Sequence, residues 1–253
     1  MPMLTNAQRK LISSLSDVKG RRRAGLFAAE GTKCVLDTLG AFELRYLLAT
    51  SQWLAAHPGD YGDAAVEVSR EALCSLSALT LAPDVIAVYS LPEPPVFDAA
   101  ALAGRLTLAL DRVQDPGNLG TLMRTADWLG IDTVLASTDT VDCYNPKTIQ
   151  ATMGAISRVR VIYGDLPAML AAMPREQVCG TFLDGDDIFG ARLPRAGVLV
   201  LGNEGRGISP AVEATVGRRL FIPPYPAGRA TSESLNVASA GAIALAQFRY
   251  GKD

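Results

Sequence analysis

Val198-Leu199-Val200-Leu201-Gly202-Asn203-Glu204-Gly205-Arg206-Gly207-Ile208-Ser209 is the stretch on which the reading of the fold turns. Four apolar residues in a row, without alternation, make a strand covered on both faces, the pattern of a parallel sheet flanked by helices. The strand opens into a glycine-rich turn and then a helix, so backbone amides are exposed where a ligand can approach closely. The order G-x-x-G-x-G differs from the dinucleotide-binding G-x-G-x-x-G, and no acidic residue stands about twenty positions on. Taken alone, the loop suits either a nucleotide-like ligand or a plain tight turn.

Working outward, strand-like runs occur at Leu106 to Leu110, Thr133 to Ala136, Val159 to Tyr163, Val178 to Leu183 and Arg219 to Ile222, with helical patterns between several of them. A closing helix is predicted from about Glu233 to Tyr250. It is rich in small residues, Ala238, Ser239, Ala240, Gly241, Ala242, Ala244 and Ala246, a surface that another helix can approach closely. Upstream, Leu91-Pro92-Glu93-Pro94-Pro95-Val96 can continue neither a helix nor a ladder. The expected division is therefore an α/β domain at 1–91, a proline-rich linker at 92–104 and a larger α/β domain at 105–253. In the first domain a helix from Leu4 precedes strands at Leu26 to Ala29, Leu44 to Ala49, Val66 to Ser69 and Val85 to Ser90, with a helix at Thr32 to Leu39. No internal repeat interrupts this order.

Composition narrows the function classes. With 253 residues and 49% hydrophobic content the chain can bury two cores. It has no apolar run long enough for a membrane span, and its N-terminus lacks the apolar segment of a secretory signal, so a cytoplasmic protein is expected. Cys34, Cys74, Cys143 and Cys179 lack metal-site spacing and disulfide density, and reduced, mostly buried thiols are expected. The lone His57 is far from any nucleophile-acid cluster, and the hydrolase elbow, the zinc-protease motif and the phosphate loop are missing. A net charge of −2 does not point to a polyanion. Lys19, Arg21, Arg22 and Arg23, broken only by Gly20, form a local basic run that suits a solvated loop or a phosphate-contacting surface equally.

Two further segments stand out. Asp111-Arg112-Val113-Gln114-Asp115-Pro116-Gly117-Asn118-Leu119-Gly120 leads into a helix through Leu129, with Asp115 suited to its cap and Pro116 to its first turn. Leu119, Leu122, Met123, Ala126 and Leu129 line one face of it. Arg124 lies about 140° from Leu119 round the axis, off that face. The other segment joins Leu220-Phe221-Ile222-Pro223 to Ser232-Glu233-Ser234-Leu235-Asn236-Val237, where Ser232 or Ser234 suits a helix cap while Asn236 is a poor helix former.

Together these segments resemble the SpoU (TrmH-like) RNA 2′-O-ribose methyltransferases. The family's N-x-G-x-x-x-R-x-A stands here as Asn118, Gly120, Arg124 and Ala126; its G-x-E-x-x-G as Gly202, Glu204 and Gly207; its I-P and S-L-N-V as Ile222, Pro223 and Ser234 to Val237. Arg21 to Lys33, read as R-x-x-x-G-L-F-x-x-E-G-x-K, is similar to the start of the family's ribosomal-protein-like RNA-binding domain. The resemblance implies a C-terminal trefoil-knotted α/β methyltransferase domain behind a smaller N-terminal α/β domain, a homodimer, S-adenosylmethionine (AdoMet) as cofactor and no metal. It implies cofactor contacts at Leu201, Gly202, Gly207, Ile222 and Leu235. It also implies catalytic roles for Asn118, Arg124, Glu204, Ser234 and Asn236, with Lys19, Arg21, Arg22 and Arg23 on RNA, ribosomal or transfer.

The family's use of the arginine as a base meets a physical difficulty, since a guanidinium normally stays protonated, and an anchor for phosphate and developing alkoxide is the alternative role for Arg124. The run from Pro224 to Glu233 is longer than the family loop. A non-catalytic RNA-binding or ribosome-assembly protein, and a nucleotide-dependent oxidoreductase, are the competing readings.

Overall fold

The structure, a computed structural model, describes residues 4–79, 83–226 and 232–251. It divides into two compact units, Met1–Glu93 with Asp142–Ser157, and Pro94–Val141 with Arg158–Asp253.

The first unit begins with helices α1 (Asn6–Ser14) and α2 (Val18–Ala24). Thr5 and Gln8 close a capping box on α1, Asp17 caps α2, and Gly25 ends α2 in the left-handed conformation at φ 64. Then follow β1 (Leu26–Glu30), α3 (Thr32–Thr38), β2 (Leu44–Ala49), α4 (Ser51–Ala56), β3 (Ala65–Glu67), α5 (Arg70–Leu76) and β4 (Val85–Ser90). The sheet runs β1-β4-β2-β3, with β4 antiparallel to both neighbours and β3 parallel to β2. Ile12 and Leu15 beside Leu73 and Leu76 cover one face. On the other, the Phe27 ring packs at 5.0 Å from Phe42, 5.4 Å from Tyr89 and 4.8 Å from Tyr144.

The basic run is a helix, not a loop. Gly20 lets α2 approach α1 so closely that a Cβ there would sit 1.9 Å from the Ser14 carbonyl oxygen. Arg21 is consequently turned inward and only 2% exposed. Its Nε and Nη2 donate to Asp142 Oδ2 at 3.0 and 2.5 Å, and Nη1 donates to the Leu15 carbonyl at 2.9 Å. Arg21 is therefore a structural ion-pair residue rather than the RNA-contacting one expected; Lys19, Arg22 and Arg23 remain exposed.

Glu30, buried at the end of β1, accepts hydrogen bonds from the Ser77 hydroxyl and, at 3.0 Å, from the Ala78 amide. Burial outweighs both bonds and pushes its carboxyl above the ordinary value of 4.5. The folded state then holds the proton more tightly than the unfolded chain, so this group favours folding below its unfolded pKa and loses that contribution as pH rises through the raised one. Urea titrations between about pH 4 and 7 should show the stability of the parent falling relative to Glu30→Gln. A difference that does not change with pH would contradict this.

The second unit contains α6 (Ala99–Leu102), β5 (Leu106–Leu110), α7 (Pro116–Trp128) and β6 (Thr133–Ser137). The chain then leaves for α8 (Pro146–Thr152) and returns as β7 (Arg160–Gly164), α9 (Leu166–Ala171), β8 (Val178–Phe182), β9 (Asp186–Asp187), β10 (Gly197–Leu201), α10 (Pro210–Glu213), β11 (Arg218–Phe221) and α11 (Val237–Tyr250). The order is β7-β6-β5-β10-β8-β11-β9, and every neighbouring pair is parallel. β5 and β10, buried along their whole length, form its centre, as the unbroken apolar runs predict.

The excursion Asp142–Ser157 belongs to the first unit, although the expected division at 91 and 105 assigns it to the second domain. α8 packs on β1, with Ile149 buried and the Cys34 thiol 3.8 Å from its carbonyl. Burial raises the Cys34 and Cys179 thiols to about 11, and no cysteine is in a disulfide. The small residues of α11 admit another helix, α7, at one decisive place. A Cβ on Gly241 would meet Leu122 Cδ2 at 2.4 Å and Leu201 Cδ1 at 2.8 Å.

Candidate cofactor and RNA site

The sheet changes direction between β5 and β10: from β5 the chain builds β6 and β7 on one side, then crosses to build the other. Loops leaving the carboxyl ends of the two strands at such a switch point flank a crevice, the usual ligand site of parallel α/β sheets. The loop after β10 is the glycine-rich one, and the loop after β5 leads into α7.

Asp115 caps α7, its Oδ1 accepting from the Asn118 amide at 2.8 Å, which sets Asn118 in the first helical turn. The Asn118 side chain then works in both directions. Nδ2 donates to Glu204 Oε1 at 2.6 Å, and Oδ1 accepts from Asn236 Nδ2 at 3.0 Å. Asn236 Oδ1 in turn accepts from the Ala238 and Ser239 amides at 2.9 and 3.3 Å. α11 thus starts at Val237 with Asn236 as its cap, not at Glu233 with a serine cap as the sequence suggests. Three motifs, the outer two 118 positions apart, are joined by one directed chain of hydrogen bonds, in which the carboxylate can only accept.

Gly202 follows β10 where no other residue fits: a Cβ would lie 2.3 Å from Gly207 C and Ile208 N. Asn203 and Gly207 then exchange backbone bonds of 3.0 and 2.8 Å, with Gly207 at φ 66, so Glu204 stands at the tip of a tight turn. Leu201 is fully buried and its carbonyl accepts from the Asp111 amide at 2.9 Å, which makes it part of the scaffold. Ile222 is half-buried and Leu235 46% exposed. Ser234 is exposed, and its carbonyl accepts from the Ser232 hydroxyl at 3.3 Å. Ala227 to Thr231, within the long loop, lie outside the described residues.

Arg124 is exposed on α7, off the buried Leu119, Leu122, Met123 and Ala126 face, as its helical position predicts. Its guanidinium has no hydrogen-bond or ion-pair partner among the described residues. Three residues of the site escaped the sequence reading: Asp111, Arg112 and Asn203. Asp111 is 2% exposed, and its Oδ2 accepts from the Ser209 amide at 2.6 Å. A polar residue ending an apolar strand was the available signal, but its partner lies 98 positions away.

Residues 105–246 match the SpoU rRNA methylase family. The chain belongs to that family. Among curated relatives it is similar to the 23S rRNA (guanosine-2′-O)-methyltransferase RlmP of Bacillus subtilis, 30% identical with 91% of each chain covered. Among solved structures it is similar to a TrmH-family protein of Porphyromonas gingivalis, with 40% identity, a TM-score of 0.86, and 98% and 99% of the two chains covered. An AdoMet-bound rRNA methyltransferase of Sinorhizobium meliloti gives 28% identity and a TM-score of 0.82 over 98% of this chain and 96% of that one. The second unit has the fold class of these methyltransferases, the trefoil-knotted α/β class that the resemblance implies. Among the described residues no group of three or more His, Cys, Asp or Glu could hold a metal, and no helix is long and apolar enough to cross a membrane.

Proposed function

We propose that this SpoU-family chain transfers the methyl group of AdoMet to a ribose 2′-hydroxyl of ribosomal RNA in the cytoplasm. The observation that carries the reading is the hydrogen-bond chain Glu204–Asn118–Asn236, which gathers all three family motifs at the switch point of the sheet.

The residues present fit the cofactor. Gly205 and Gly207 are exposed at the end of β10, free of side chains that would keep a ligand from the backbone, while Ile222 and Leu235 offer aliphatic surface for a flat ring. When bound, AdoMet supplies a methyl group on a sulfonium. In-line transfer then requires mainly alignment and loss of one proton from the acceptor. Asn118 ties the first turn of α7 to Asn236, the cap of α11, Glu204 holds Asn118, and Ser234 presents an exposed hydroxyl to RNA. Arg124 brings a positive charge without a partner in the described chain, suited to grip an RNA phosphate and stabilise the alkoxide forming at O2′. Lys19, Arg22 and Arg23 on α2 hold the backbone of the RNA.

Labelled AdoMet with ribosomal RNA should give ribose-methylated product, and an RNA with a single 2′-deoxy nucleotide at the mapped site should give none. Methylation of the deoxy RNA, or binding of NAD without AdoMet, would overturn the reading.

The protein is further read as a homodimer that pairs through α7 and α11. Trp128 and Tyr250, 87% and 75% exposed, stand at the ends of these helices, which Arg249 joins by donating to the Leu129 and Gly130 carbonyls at 2.8 and 3.2 Å. Half-buried Ala242, Ile243 and Ala246 extend the apolar surface. Sedimentation at micromolar concentration should show a dimer that Trp128→Glu converts to monomer; a monomeric parent would contradict it.

A further inference from the structure

Arg112 has φ 59, a left-handed conformation that costs a residue with a Cβ. Such a conformation persists where the surroundings over-determine it. Here both backbone polar groups of Arg112 are held by side chains. Its amide donates to Ser137 Oγ at 2.8 Å; Ser137 in turn donates to Thr140 Oγ1 at 3.1 Å, and Thr140 to the Leu110 carbonyl at 3.2 Å. Its carbonyl accepts from Asn203 Nδ2 at 2.9 Å.

Asn203 spends its other atom inside the glycine-rich loop, Oδ1 accepting from the Gly205 and Arg206 amides at 3.0 and 3.1 Å. The Arg112 guanidinium folds back over the same loop, with Nη2 3.4 Å from the Gly207 carbonyl and Nε 3.4 Å from Asp111 Oδ1. The loop is therefore fastened to the end of β5 on both sides of Glu204: at Asn203 before it, and at Gly207 and Ser209 after it. Without these ties the turn would keep its internal bonds but lose its place relative to Asn118.

We propose that Arg112 and Asn203 form a latch that positions the glycine-rich loop for AdoMet, with the strained peptide at Arg112 aiming its carbonyl at the Asn203 amide. They are positioning residues, and the inference rests on the assignment of Gly202 to Gly207 to the cofactor. Hydrogen exchange of the Gly205 to Gly207 amides, with and without AdoMet, separates the two. If AdoMet does not protect these amides in the parent protein, the cofactor assignment itself fails.

With protection established, Asn203→Asp removes the donor to Arg112 and keeps the acceptor for Gly205 and Arg206. It should speed exchange of these amides in the free protein and raise the AdoMet Kd about tenfold, the worth of one well-placed hydrogen bond, while leaving affinity for a ribosomal RNA transcript unchanged. Arg112→Gly still permits the left-handed backbone and removes the whole side chain, guanidinium included, so it tests the latch even if Asn203→Asp fails to fold; it should weaken AdoMet by roughly twofold to tenfold. Parent values of loop exchange and AdoMet Kd in either variant overturn the latch, as does an equal loss of RNA affinity.

Discussion

Arg124→Ala should slow methyl transfer by a factor of about 10² or more, the loss seen when a preorganised charge-stabilising donor is removed. Folding should change by no more than about 0.5 kcal/mol, because Arg124 is exposed and holds no partner among the described residues. AdoMet affinity should survive, since the cofactor is assigned to the loops at Gly202 and Ile222. Arg124→Lys should restore activity only in part, because an ammonium lacks the planar fork that grips phosphate at two points. Single-turnover assays with saturating RNA, beside calorimetry for AdoMet, separate these terms. Parent rates in Arg124→Ala would remove the residue from the chemistry.

The second large effect is on stability. Arg21→Ala should cost about 3 kcal/mol in the first unit, because Asp142 loses its counter-charge and the Leu15 carbonyl its donor. Asp142 keeps 27% of its side-chain exposure, so solvent compensates part of the loss and the figure belongs at the low end for buried pairs. Arg22→Ala, one position along, should leave stability within about 0.5 kcal/mol while weakening RNA binding and reducing its salt dependence by about one phosphate contact. Denaturant titrations and salt-dependent binding on both variants check the contrast. If Arg21→Ala instead folds normally and loses RNA, its assignment to the protein interior is wrong.

Periodicity and unbroken apolar runs were enough to read the parallel sheet around Val198 to Leu201, the α/β first domain and the outward position of Arg124, because each depends on which side chains a strand or helix must bury. Spacing of Asn118, Glu204 and Asn236 carried the family. Local reading failed wherever a residue's partner is remote. Arg21 looked like a surface cation until α2, brought against α1 through Gly20, turned it toward Asp142, 121 positions away. Asp142–Ser157 falls within the expected domain at 105–253, yet its Tyr144 and Ile149 pack in the core of the first unit. Gly241 belongs to a surface that another helix can approach closely, but only the structure shows that this helix is α7 of the same unit, through Leu122 beside Leu201. Asn236 stood out as a poor helix former, but only the tertiary structure makes it both the cap of α11 and the donor to Asn118. A sequence prescribes which groups must be buried or satisfied; long-range packing decides with which partner.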